Sequence, residues 1–302
     1  MFDCIIIGSG PAGMSAAIYL TRKKMKTLLI SDEVGGQAGK SAEVENYLGY
    51  TKLSGAELIG KFSEHIEAIG VETKTAEAKS ITKIEGGFEV KTSDESYQTK
   101  SIIVTSGKTP RKLNIPGEEE FMGKGISYCA TCDGPLFKDK IVTVIGGGNS
   151  ALDAALEMEK YAQKVYIINL NSDFQGDEIR KDRVKSSEKI EVMNKAQTVS
   201  VSGSQFLEKI KYKDLALGEE KEIESNGMFV EIGWAPATEI VKDIVDLNDL
   251  KEIKVDKNNK TSCEGILAAG DVTDIEYKQI IIAAGEGAKA ALNAWKYLVT
   301  KK

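Results

Sequence analysis

Two cysteines three positions apart, followed at once by an acid, are the residues of this sequence best suited to chemistry. Cys129, Cys132 and Asp133 stand in the run Tyr-Cys-Ala-Thr-Cys-Asp-Gly. Thiol–disulfide exchange needs one thiolate to attack, a second thiol to resolve the mixed disulfide, and a proton source for the leaving sulfur. These three residues could fill the three roles. The spacing therefore predicts a redox-active disulfide beside an acid.

The alternative interpretation of such a pair is half of a zinc site. A structural zinc ion would need two further Cys or His ligands. Outside the motif the chain offers only Cys4, Cys263 and His65, which are far apart in the sequence. We therefore favour redox chemistry and predict no metal.

The elements that must position these thiols include two glycine-rich signatures, one on each side of them. The first follows a short apolar strand at residues 2–7 and opens a helix, with a second strand at 27–31. Its sequence is Gly8-Ser9-Gly10-Pro11-Ala12-Gly13. Glycines in this context let a pyrophosphate approach the helix N-terminus, where unpaired N–H groups favour anions. Asp32 and Glu33 come after the second strand, where an acid of this fold meets a ribose hydroxyl. Alternatively, the two acids belong to a solvated turn.

The second signature repeats this logic after the cysteines. A strand at 140–145 leads into Gly146-Gly147-Gly148-Asn149-Ser150-Ala151, a helix to about Tyr161 and a strand at 164–169. Two such units in one chain imply two dinucleotides. The fold class predicted is α/β, with two Rossmann-like, three-layer dinucleotide-binding domains.

Other stretches complete the outline. Residues 71–105 alternate in the manner of antiparallel strands, with a turn at Gly86-Gly87, and a strand-to-glycine exit at 102–111 suggests a crossing between domains. Residues 265–271 resemble a strand that ends in polar Asp271, and a long helix from about 279 to 298 carries many small residues.

Composition excludes several classes of function. The chain of 302 residues is long enough for two domains, and its formal charge of −6 disfavours a nucleic-acid surface. It has no apolar run as long as a membrane span and no basic leader at the start, and four cysteines do not make a secreted disulfide framework. We therefore expect a cytoplasmic enzyme that binds no nucleic acid and no membrane.

From end to end the chain resembles the low-molecular-weight thioredoxin reductases. The matching motifs, in order, are Gly8-Ser9-Gly10-Pro11-Ala12-Gly13, Gly35-Gly36-Gln37, Glu45-Asn46, Cys129-x-x-Cys132-Asp133-Gly134, Gly146-x-Gly148-x-x-Ala151, Ala269-Gly270-Asp271 and Lys278-Gln279. Residues 132–138 and 277–283 are similar to the flavoprotein subunit of alkyl hydroperoxide reductase, without its N-terminal thioredoxin-like extension.

This resemblance implies an FAD-binding domain from residues 1–112 and 241–302. A pyridine-nucleotide domain, residues 113–240, is inserted between them and carries the cysteines, and the protein is expected to be a homodimer. The residues expected at FAD are Gly8, Ser9, Gly10, Pro11, Ala12, Gly13, Asp32, Glu33, Gly36, Gln37, Asn46, Gly107, Gly270, Asp271, Lys278, Gln279 and Ile280. Those expected at the nicotinamide nucleotide are Gly146, Gly148, Asn149, Ser150, Ala151, Asn169 and Asn171.

The resemblance also assigns roles to the thiols. Cys132 would face the flavin and exchange electrons with it, Cys129 would attack the disulfide of the partner, and Asp133 would handle the proton. The partner would be a thioredoxin-like or glutaredoxin-like protein, or a detached copy of the N-terminal domain of the peroxidase branch. The implied enzyme is a thioredoxin-disulfide reductase-like oxidoreductase.

One departure from the family concerns the electron donor. Where thioredoxin reductases usually carry arginines that hold the 2′-phosphate of NADPH, this chain has residues 169–175, Asn-Leu-Asn-Ser-Asp-Phe-Gln. The alkyl hydroperoxide reductase branch also lacks these arginines and uses NADH, so we expect NADH to be favoured. A smaller departure is Ala237, where the family usually has Asn.

Two other functions remain open on the sequence. The same disulfide reductase could take electrons from ferredoxin or a reduced deazaflavin, although the intact second glycine signature speaks against this. More remotely, the chain could be a non-catalytic flavin-binding protein whose thiols sense redox state.

Overall fold

The structure of the protein is a computed structural model. It describes residues 1–41 and 44–300, with the backbone but not the side chain of Cys132.

The secondary structure alternates between strands and helices at both ends of the chain. The strands are β1 (Phe2–Ser9), β2 (Thr27–Val34), β3 (Glu72–Thr75), β4 (Ala78–Ile84), β5 (Gly87–Thr92), β6 (Ser96–Val104), β7 (Lys108–Pro110), β8 (Ile126–Ser127), β9 (Ile141–Ile145), β10 (Lys164–Asn169), β11 (Ile190–Asn194), β12 (Ala196–Gly203), β13 (Leu207–Asp214), β14 (Glu220–Glu224), β15 (Gly227–Val230), β16 (Trp234–Pro236) and β17 (Ile266–Ala268). The helices are α1 (Pro11–Arg22), α2 (Gly36–Gly39), α3 (Gly55–Ala68), α4 (Glu118–Phe121), α5 (Ala130–Asp133), α6 (Asn149–Met158), α7 (Glu178–Ser186) and α8 (Ile280–Thr300).

The chain divides into two compact units. Unit 1 consists of Met1–Thr109 and Ala235–Lys302, and unit 2 is the continuous segment Pro110–Trp234. The sequence-based boundaries, after residues 112 and 240, lie a few residues further along the chain than these. Unit 2 is thus an insertion in unit 1. The two segments of unit 1 meet at the insertion point, since the Ala237 N–H donates to the Gly107 carbonyl at 3.0 Å.

Unit 1 is built on one seven-stranded sheet. Its order is β3-β2-β1-β6-β5-β4, and β17 also pairs with β6. The strands β3, β2, β1, β6 and β17 run parallel, whereas β4 and β5 form an antiparallel hairpin that joins the first half of β6. β3 therefore continues the parallel sheet, although the alternation of residues 71–105 predicted antiparallel pairing throughout.

The sheet of unit 1 buries both faces, because side chains of β1 alternate between two hydrophobic clusters. Cys4 and Ile6 pack with small residues of α1 and α8, and Ile5 and Ile7 pack on the opposite face with the β4–β5 hairpin and the segment 241–272. α8 approaches α1 so closely that a Cβ on Gly287 would lie 2.0 Å from the Ala12 carbonyl oxygen. The resulting three layers hold the strand ends, and hence the loops after them, in place.

Unit 2 combines a parallel sheet with an antiparallel one. The parallel sheet has the order β11-β10-β9-β15-β8, and β12-β13-β14 form a three-stranded antiparallel sheet. α6 follows β9 and contributes Leu152, Ala155 and Met158 to the core cluster of the parallel sheet. Each unit therefore has the α/β dinucleotide-binding architecture predicted from the sequence. Within the described residues, no helix combines the length and apolar character needed to cross a membrane.

Candidate functional site

A cleft of about 660 Å³ lies in unit 1 where β1, β2, β6 and β17 end. Ligands of open α/β sheets bind at the carboxyl ends of the strands, and this volume is ordinary for a small-molecule site. All the residues expected at FAD except Gly13 and Asn46 line the cleft: Gly8, Ser9, Gly10, Pro11, Ala12, Asp32, Glu33, Gly36, Gln37, Gly107, Gly270, Asp271, Lys278, Gln279 and Ile280. The fold therefore brings together residues that are up to two hundred and seventy positions apart in the chain.

The glycines of the first signature divide into two kinds. A Cβ on Gly13 would lie 1.8 Å from the Gly8 carbonyl oxygen, so Gly13 allows α1 to pack against the end of β1. A Cβ on Gly10 would have its nearest neighbour 4.0 Å away, and one on Gly36 would approach only the Gly10 Cα, at 3.7 Å. Gly10 and Gly36 thus leave an open, bare-backbone cradle at the N-terminus of α1, where the first N–H groups of a helix have no intrahelical partner.

The two acids in the last part of β2 differ in their surroundings. Glu33 forms an ion pair with Lys40 at 2.8 Å. Asp32 is exposed and forms no ion pair within the part of the chain that the structure describes. Asp32 is therefore the acid with an uncommitted carboxylate at the end of β2.

Asp271 presents a half-buried carboxylate to the cleft. Burial raises its pKa, and the positive charges of Lys278 and Lys108 partly offset that rise. Its carboxylate accepts no hydrogen bond from residues 1–41 or 44–300, which is unusual for a half-buried acid. A ligand hydroxyl would satisfy it.

Lys278, in contrast, is committed to the protein. Its ammonium group bonds to the Thr273 carbonyl and pairs with Glu252 at 3.2 Å, and Lys108 pairs with the same carboxylate at 3.2 Å. The neighbouring Gln279 accepts a hydrogen bond from the Asn46 side chain at 3.0 Å. Asn46 therefore does not line the cleft itself but bonds to Gln279, which does.

The second glycine signature forms a similar turn in unit 2. A Cβ on Gly146 would lie 2.3 Å from the Glu231 carbonyl oxygen, so this glycine permits close strand packing. Gly148, which precedes α6, has open space where a Cβ would be. Ser150 is exposed, the Asn149 side chain accepts the Asp177 N–H at 2.8 Å, and Ala151 is fully buried beneath the turn.

Asn169 lies beside the second glycine turn, where a Cβ on Gly147 would be 2.3 Å from its side-chain oxygen. It is 1% exposed, its amide donates to the Asn194 side chain at 2.8 Å, and its oxygen accepts the Asn171 N–H at 3.1 Å. The Asn169 side chain thus organises the loop after β10, while Asn171 stays exposed at the surface of that loop.

The redox motif begins at the end of edge strand β8 and continues into α5. Cys129 is partly buried and disulfide-bonded, whereas Cys4 and Cys263 are buried free thiols. The side chain of Cys132 lies outside the described part of the structure. The Asp133 N–H donates to the Cys129 carbonyl at 3.2 Å, which closes the turn between the two cysteine positions.

A buried hydroxyl links the acid to the first cysteine. Ser127 donates to the Asp133 carboxylate at 2.6 Å, and its oxygen accepts the Cys129 N–H at 3.0 Å. Ser127 was not predicted from the sequence, because a serine in a short strand carries no motif. Its position two residues before the first cysteine was the only available signal.

Glu118 anchors the same segment from its N-terminal side. Its carboxylate, 2% exposed, accepts the N–H groups of Leu113 and Asn114 and the hydroxyl of Tyr128, at 2.9, 2.6 and 2.8 Å. Burial and this carboxylate raise the pKa of Tyr128 well above its ordinary value. In the sequence Glu118 stands in an acidic run of three, which is typical of a solvated surface and gave no sign of this role.

A second acid lies beside the motif. Glu231 follows β15, and burial raises the pKa of its carboxyl to about 7, although a hydrogen bond from the backbone of Ala130 works in the opposite direction. We call residues 129–133, from the first cysteine to the acid, the redox turn. Ala130 belongs to this turn, so the Glu231 carboxyl, whose pKa is near neutrality, lies next to it.

Comparison with known proteins supports the resemblance found in the sequence. The chain is 40% identical, over 300 residues, to a subunit of the alkyl hydroperoxide reductase of Staphylococcus aureus; the match covers 99% of this chain and 59% of that protein. The structure of Lactococcus lactis thioredoxin reductase is 38% identical with a TM-score of 0.83, covering 99% of this chain and 100% of that one. A ferredoxin-flavin thioredoxin reductase from Clostridium acetobutylicum is 34% identical with a TM-score of 0.55, covering 99% and 98%.

The profile of the pyridine nucleotide-disulphide oxidoreductase family matches residues 2–290. The chain therefore belongs to the pyridine nucleotide-disulphide oxidoreductase family, whose oxidoreductase class and whose flavin and nicotinamide cofactors are those that the sequence predicted.

Proposed function

We propose that this chain is a flavin-dependent protein-disulfide reductase. It passes electrons from NADH through FAD and a Cys129–Cys132 disulfide to a thioredoxin-like protein. The observation that carries the proposal is the redox turn of unit 2, where a disulfide-bonded Cys129 and the acid Asp133 are joined through Ser127. Because the chain spans 59% of the length of the peroxide-reductase relative, the proposal does not extend to the activity of that whole protein.

The cleft of unit 1 suits FAD. The open cradle at Gly10 and Gly36 and the N-terminus of α1 would hold the pyrophosphate, and Asp32 would accept the hydroxyls of the adenosine ribose. The unpartnered Asp271 carboxylate would accept a ribityl hydroxyl. Bound FAD supplies the two-electron chemistry that connects a nicotinamide to a disulfide.

The turn before α6 suits a nicotinamide nucleotide. Gly148 leaves room for the pyrophosphate, and Asn149, Ser150 and Ala151 begin the helix above it. NADH is favoured over NADPH because the loop after β10 is neutral at Asn171 and acidic at Asp173. Of the two arginines in α7 that could approach a 2′-phosphate, Arg180 is held by Asp153 at 2.7 Å and by Asp177, while Arg183 is exposed and lies further along the helix.

The thiols of unit 2 carry electrons to the partner. After reduction, Cys129 passes its proton to Asp133 and attacks one sulfur of the partner disulfide as a thiolate, and Asp133 gives that proton to the sulfur that leaves. The Cys132 thiolate then attacks Cys129, which releases the second partner sulfur as a thiol. The enzyme dithiol and partner disulfide become enzyme disulfide and partner dithiol, and the two protons of the enzyme thiols end on the partner.

The partner that these thiols fit is a thioredoxin-like or glutaredoxin-like protein, and the working form is proposed to be a homodimer. Both statements extend from the resemblance to thioredoxin reductase and to the alkyl hydroperoxide reductase of Staphylococcus aureus.

A second electron donor has specific support. The similarity to a ferredoxin-flavin thioredoxin reductase and the missing phosphate-binding arginines are both compatible with reduction by ferredoxin. The open turn at Gly148 weighs against it, because a chain reduced only by ferredoxin needs no second nucleotide site.

One experiment separates these functions. The purified, FAD-loaded protein is mixed anaerobically with NADH, NADPH or reduced ferredoxin, and bleaching of the flavin is followed before and after an oxidised thioredoxin is added. The proposal expects NADH to bleach the flavin and thioredoxin to restore its colour, with steady turnover when both are present. If reduced ferredoxin bleaches the flavin and neither nucleotide does, the electron donor is ferredoxin and the NADH proposal is refuted. If the flavin is bleached but no protein disulfide is turned over, the reductase function is refuted and the redox-sensor function is favoured.

A further inference from the structure

Among the described residues, the side chain of Ser127 bonds to the redox turn alone. Ser127 ends β8 and is 7% exposed, while its backbone pairs with β15 in the parallel sheet. All the hydrogen bonds that its hydroxyl makes to described residues go to Cys129 and Asp133. The strand pairing uses only the backbone of Ser127, so we look for the role of its hydroxyl in the redox turn.

The geometry of the hydroxyl allows it to follow the protonation of Asp133. A serine has one proton to donate and two lone pairs to accept with. When Asp133 is ionised, the proton points to its carboxylate at 2.6 Å. When Asp133 holds a proton, the carboxyl becomes the donor, and Ser127 can turn its own proton to the Cys129 carbonyl at 3.3 Å.

We propose that Ser127 is a positioning residue that keeps Asp133 aligned with the redox turn in both protonation states, so that Asp133 can protonate the sulfur that leaves during disulfide exchange. The inference rests on the proposed function, in which Asp133 is the proton source. Ser127 touches neither the partner nor a cofactor in this role. It acts through Asp133.

The test uses two disulfide reagents that differ in their need for a proton. An aromatic disulfide such as 5,5′-dithiobis(2-nitrobenzoate) releases a stable thiolate, whereas bis(2-hydroxyethyl) disulfide releases a basic thiolate that benefits from protonation. The FAD-loaded protein is reduced with dithiothreitol, desalted anaerobically and mixed with each reagent, and loss of its free thiols is timed. Each reaction converts the enzyme dithiol and one reagent disulfide into the enzyme disulfide and two reagent thiols.

Ser127→Ala should slow the aliphatic reagent about tenfold, a part of what a positioned acid contributes, and the aromatic reagent less than about twofold. Asp133→Asn should show the same selectivity, and the double variant should be no slower than Asp133→Asn alone. Ser127→Thr, which keeps the hydroxyl, should restore the aliphatic rate. Ser225→Ala is the matched control, since Ser225 is a fully buried serine of unit 2 that bonds to Thr143 and Gly227 instead.

Equal slowing with both reagents would show that Ser127 only shapes the turn, and no slowing with either would also overturn the proposal. A further loss from Ser127→Ala in the Asp133→Asn protein would mean that it does not act through Asp133. If Asp133→Asn reacts like wild type, Asp133 is not the proton source, and the positioning role of Ser127 is refuted as well. Selective slowing in a protein that turns over no protein disulfide would instead refute the proposed function and leave the role of Ser127 standing.

Discussion

Three carboxylates of this chain show how surroundings, and not residue type, decide what an acid does. Glu118 is almost fully buried but accepts three hydrogen bonds, so its charge is satisfied by the protein. Asp271 is half-buried and accepts none from the described residues, and Glu231 is buried enough to titrate near neutrality. The first is satisfied by the protein, the second has a carboxylate that a ligand hydroxyl could satisfy, and burial raises the pKa of the third.

Asp271 gives the clearest prediction for cofactor affinity. Asp271→Ala should weaken FAD binding by roughly 10- to 100-fold, because a hydrogen bond to a charged group contributes about 1.5–3 kcal/mol. Titration of the apoprotein with FAD, followed by flavin fluorescence, measures the change. Asp249→Ala, at an exposed acid of the same unit, should bind FAD like wild type. An unchanged affinity in Asp271→Ala would mean that the carboxylate does not reach the cofactor.

Glu231 gives a prediction for stability against pH. Its pKa is raised to about 7 in the folded chain from an ordinary 4.5, so the folded state holds the proton more tightly than the unfolded state. Stability is therefore greatest below the unfolded pKa and is lost as pH rises toward 7. Glu231→Gln should stabilise the protein at pH 8 by at most about 3 kcal/mol, and the gain should shrink toward pH 4.5.

Urea unfolding at several pH values checks this expectation. Glu219→Gln, at an exposed acid of unit 2, should give no pH-dependent gain. The interpretation fails if Glu231→Gln changes stability equally at pH 5 and pH 8.

The two cysteines of the motif should fail in different ways when replaced. In the role implied by the resemblance, Cys129→Ser abolishes turnover but leaves the Cys132 thiolate to give a long-wavelength charge-transfer band with the flavin. Cys132→Ser should lose that band and trap the partner on Cys129 as a stable mixed disulfide, visible by non-reducing electrophoresis. Cys4→Ser and Cys263→Ser are controls, because both thiols are free and buried. Near-normal turnover in Cys132→Ser would contradict this division of labour.

At the scale of elements, the loop between β10 and α7 is the part of unit 2 on which the proposed preference for NADH rests. At the start of the loop, the buried Asn169 side chain accepts the Asn171 N–H. Near its end, Gln175 donates its N–H to the Gly147 carbonyl at 2.7 Å. The loop therefore lies against the glycine turn, with Leu170 and Asn171 exposed. Charges added at these two positions would face solvent without disturbing the core.

Leu170→Arg combined with Asn171→Arg should improve the affinity for NADPH at least about tenfold and leave that for NADH nearly unchanged, since guanidinium groups bind phosphate through charged hydrogen bonds. Stopped-flow reduction of the flavin at low nucleotide concentrations measures both. Leu217→Arg adds one positive charge at an exposed leucine elsewhere in unit 2 and should alter neither. Faster reduction of the wild-type protein by NADPH than by equal NADH would refute the preference.

The elements also show how far sequence patterns reach. The two β-α-β units were predictable because strand, glycine turn and helix are contiguous, and residues such as Gly10 and Gly148 act through their own backbone. The role of Asn169 at the nucleotide stays a prediction, and its hydrogen bond to Asn194 could not be foreseen, because it depends on the neighbouring strand β11. Ser127 was missed because a serine in a short strand carries no motif, although its partners Cys129 and Asp133 are only two and six residues away. Hydrogen bonds between side chains brought together by folding leave no periodic signal.

At the scale of the whole molecule, each unit has its own hydrophobic cores. Among the described residues, the two clusters of unit 1 consist of residues from 2–104 and 240–295, and the two clusters of unit 2 consist of residues from 113–232. The segments of unit 1 also meet through the Ala237–Gly107 hydrogen bond. Unit 1 should therefore fold without its insertion.

A variant in which a short Gly-Ser linker replaces residues 110–234 tests this expectation. It should bind FAD with nearly wild-type affinity, because all the lining residues of the cleft belong to unit 1, but NADH should not reduce its flavin at the rate of the full chain. Flavin fluorescence and circular dichroism measure binding and folding. The same deletion with Asp271→Ala is the control for specific binding. A folded but colourless deletion variant would show that the cofactor needs unit 2.

The insertion also has a consequence for the order of events on the ribosome. Unit 2 is contiguous, so it can close its cores once residue 234 has left the exit tunnel. Unit 1 has to wait for β17, which pairs with β6, and for α8, whose alanines cover α1. Until then β6 carries an unpaired parallel edge and α1 an uncovered apolar face, both of which invite association with other nascent chains. A premature stop near residue 260 should thus yield an aggregation-prone fragment that nevertheless contains a native unit 2.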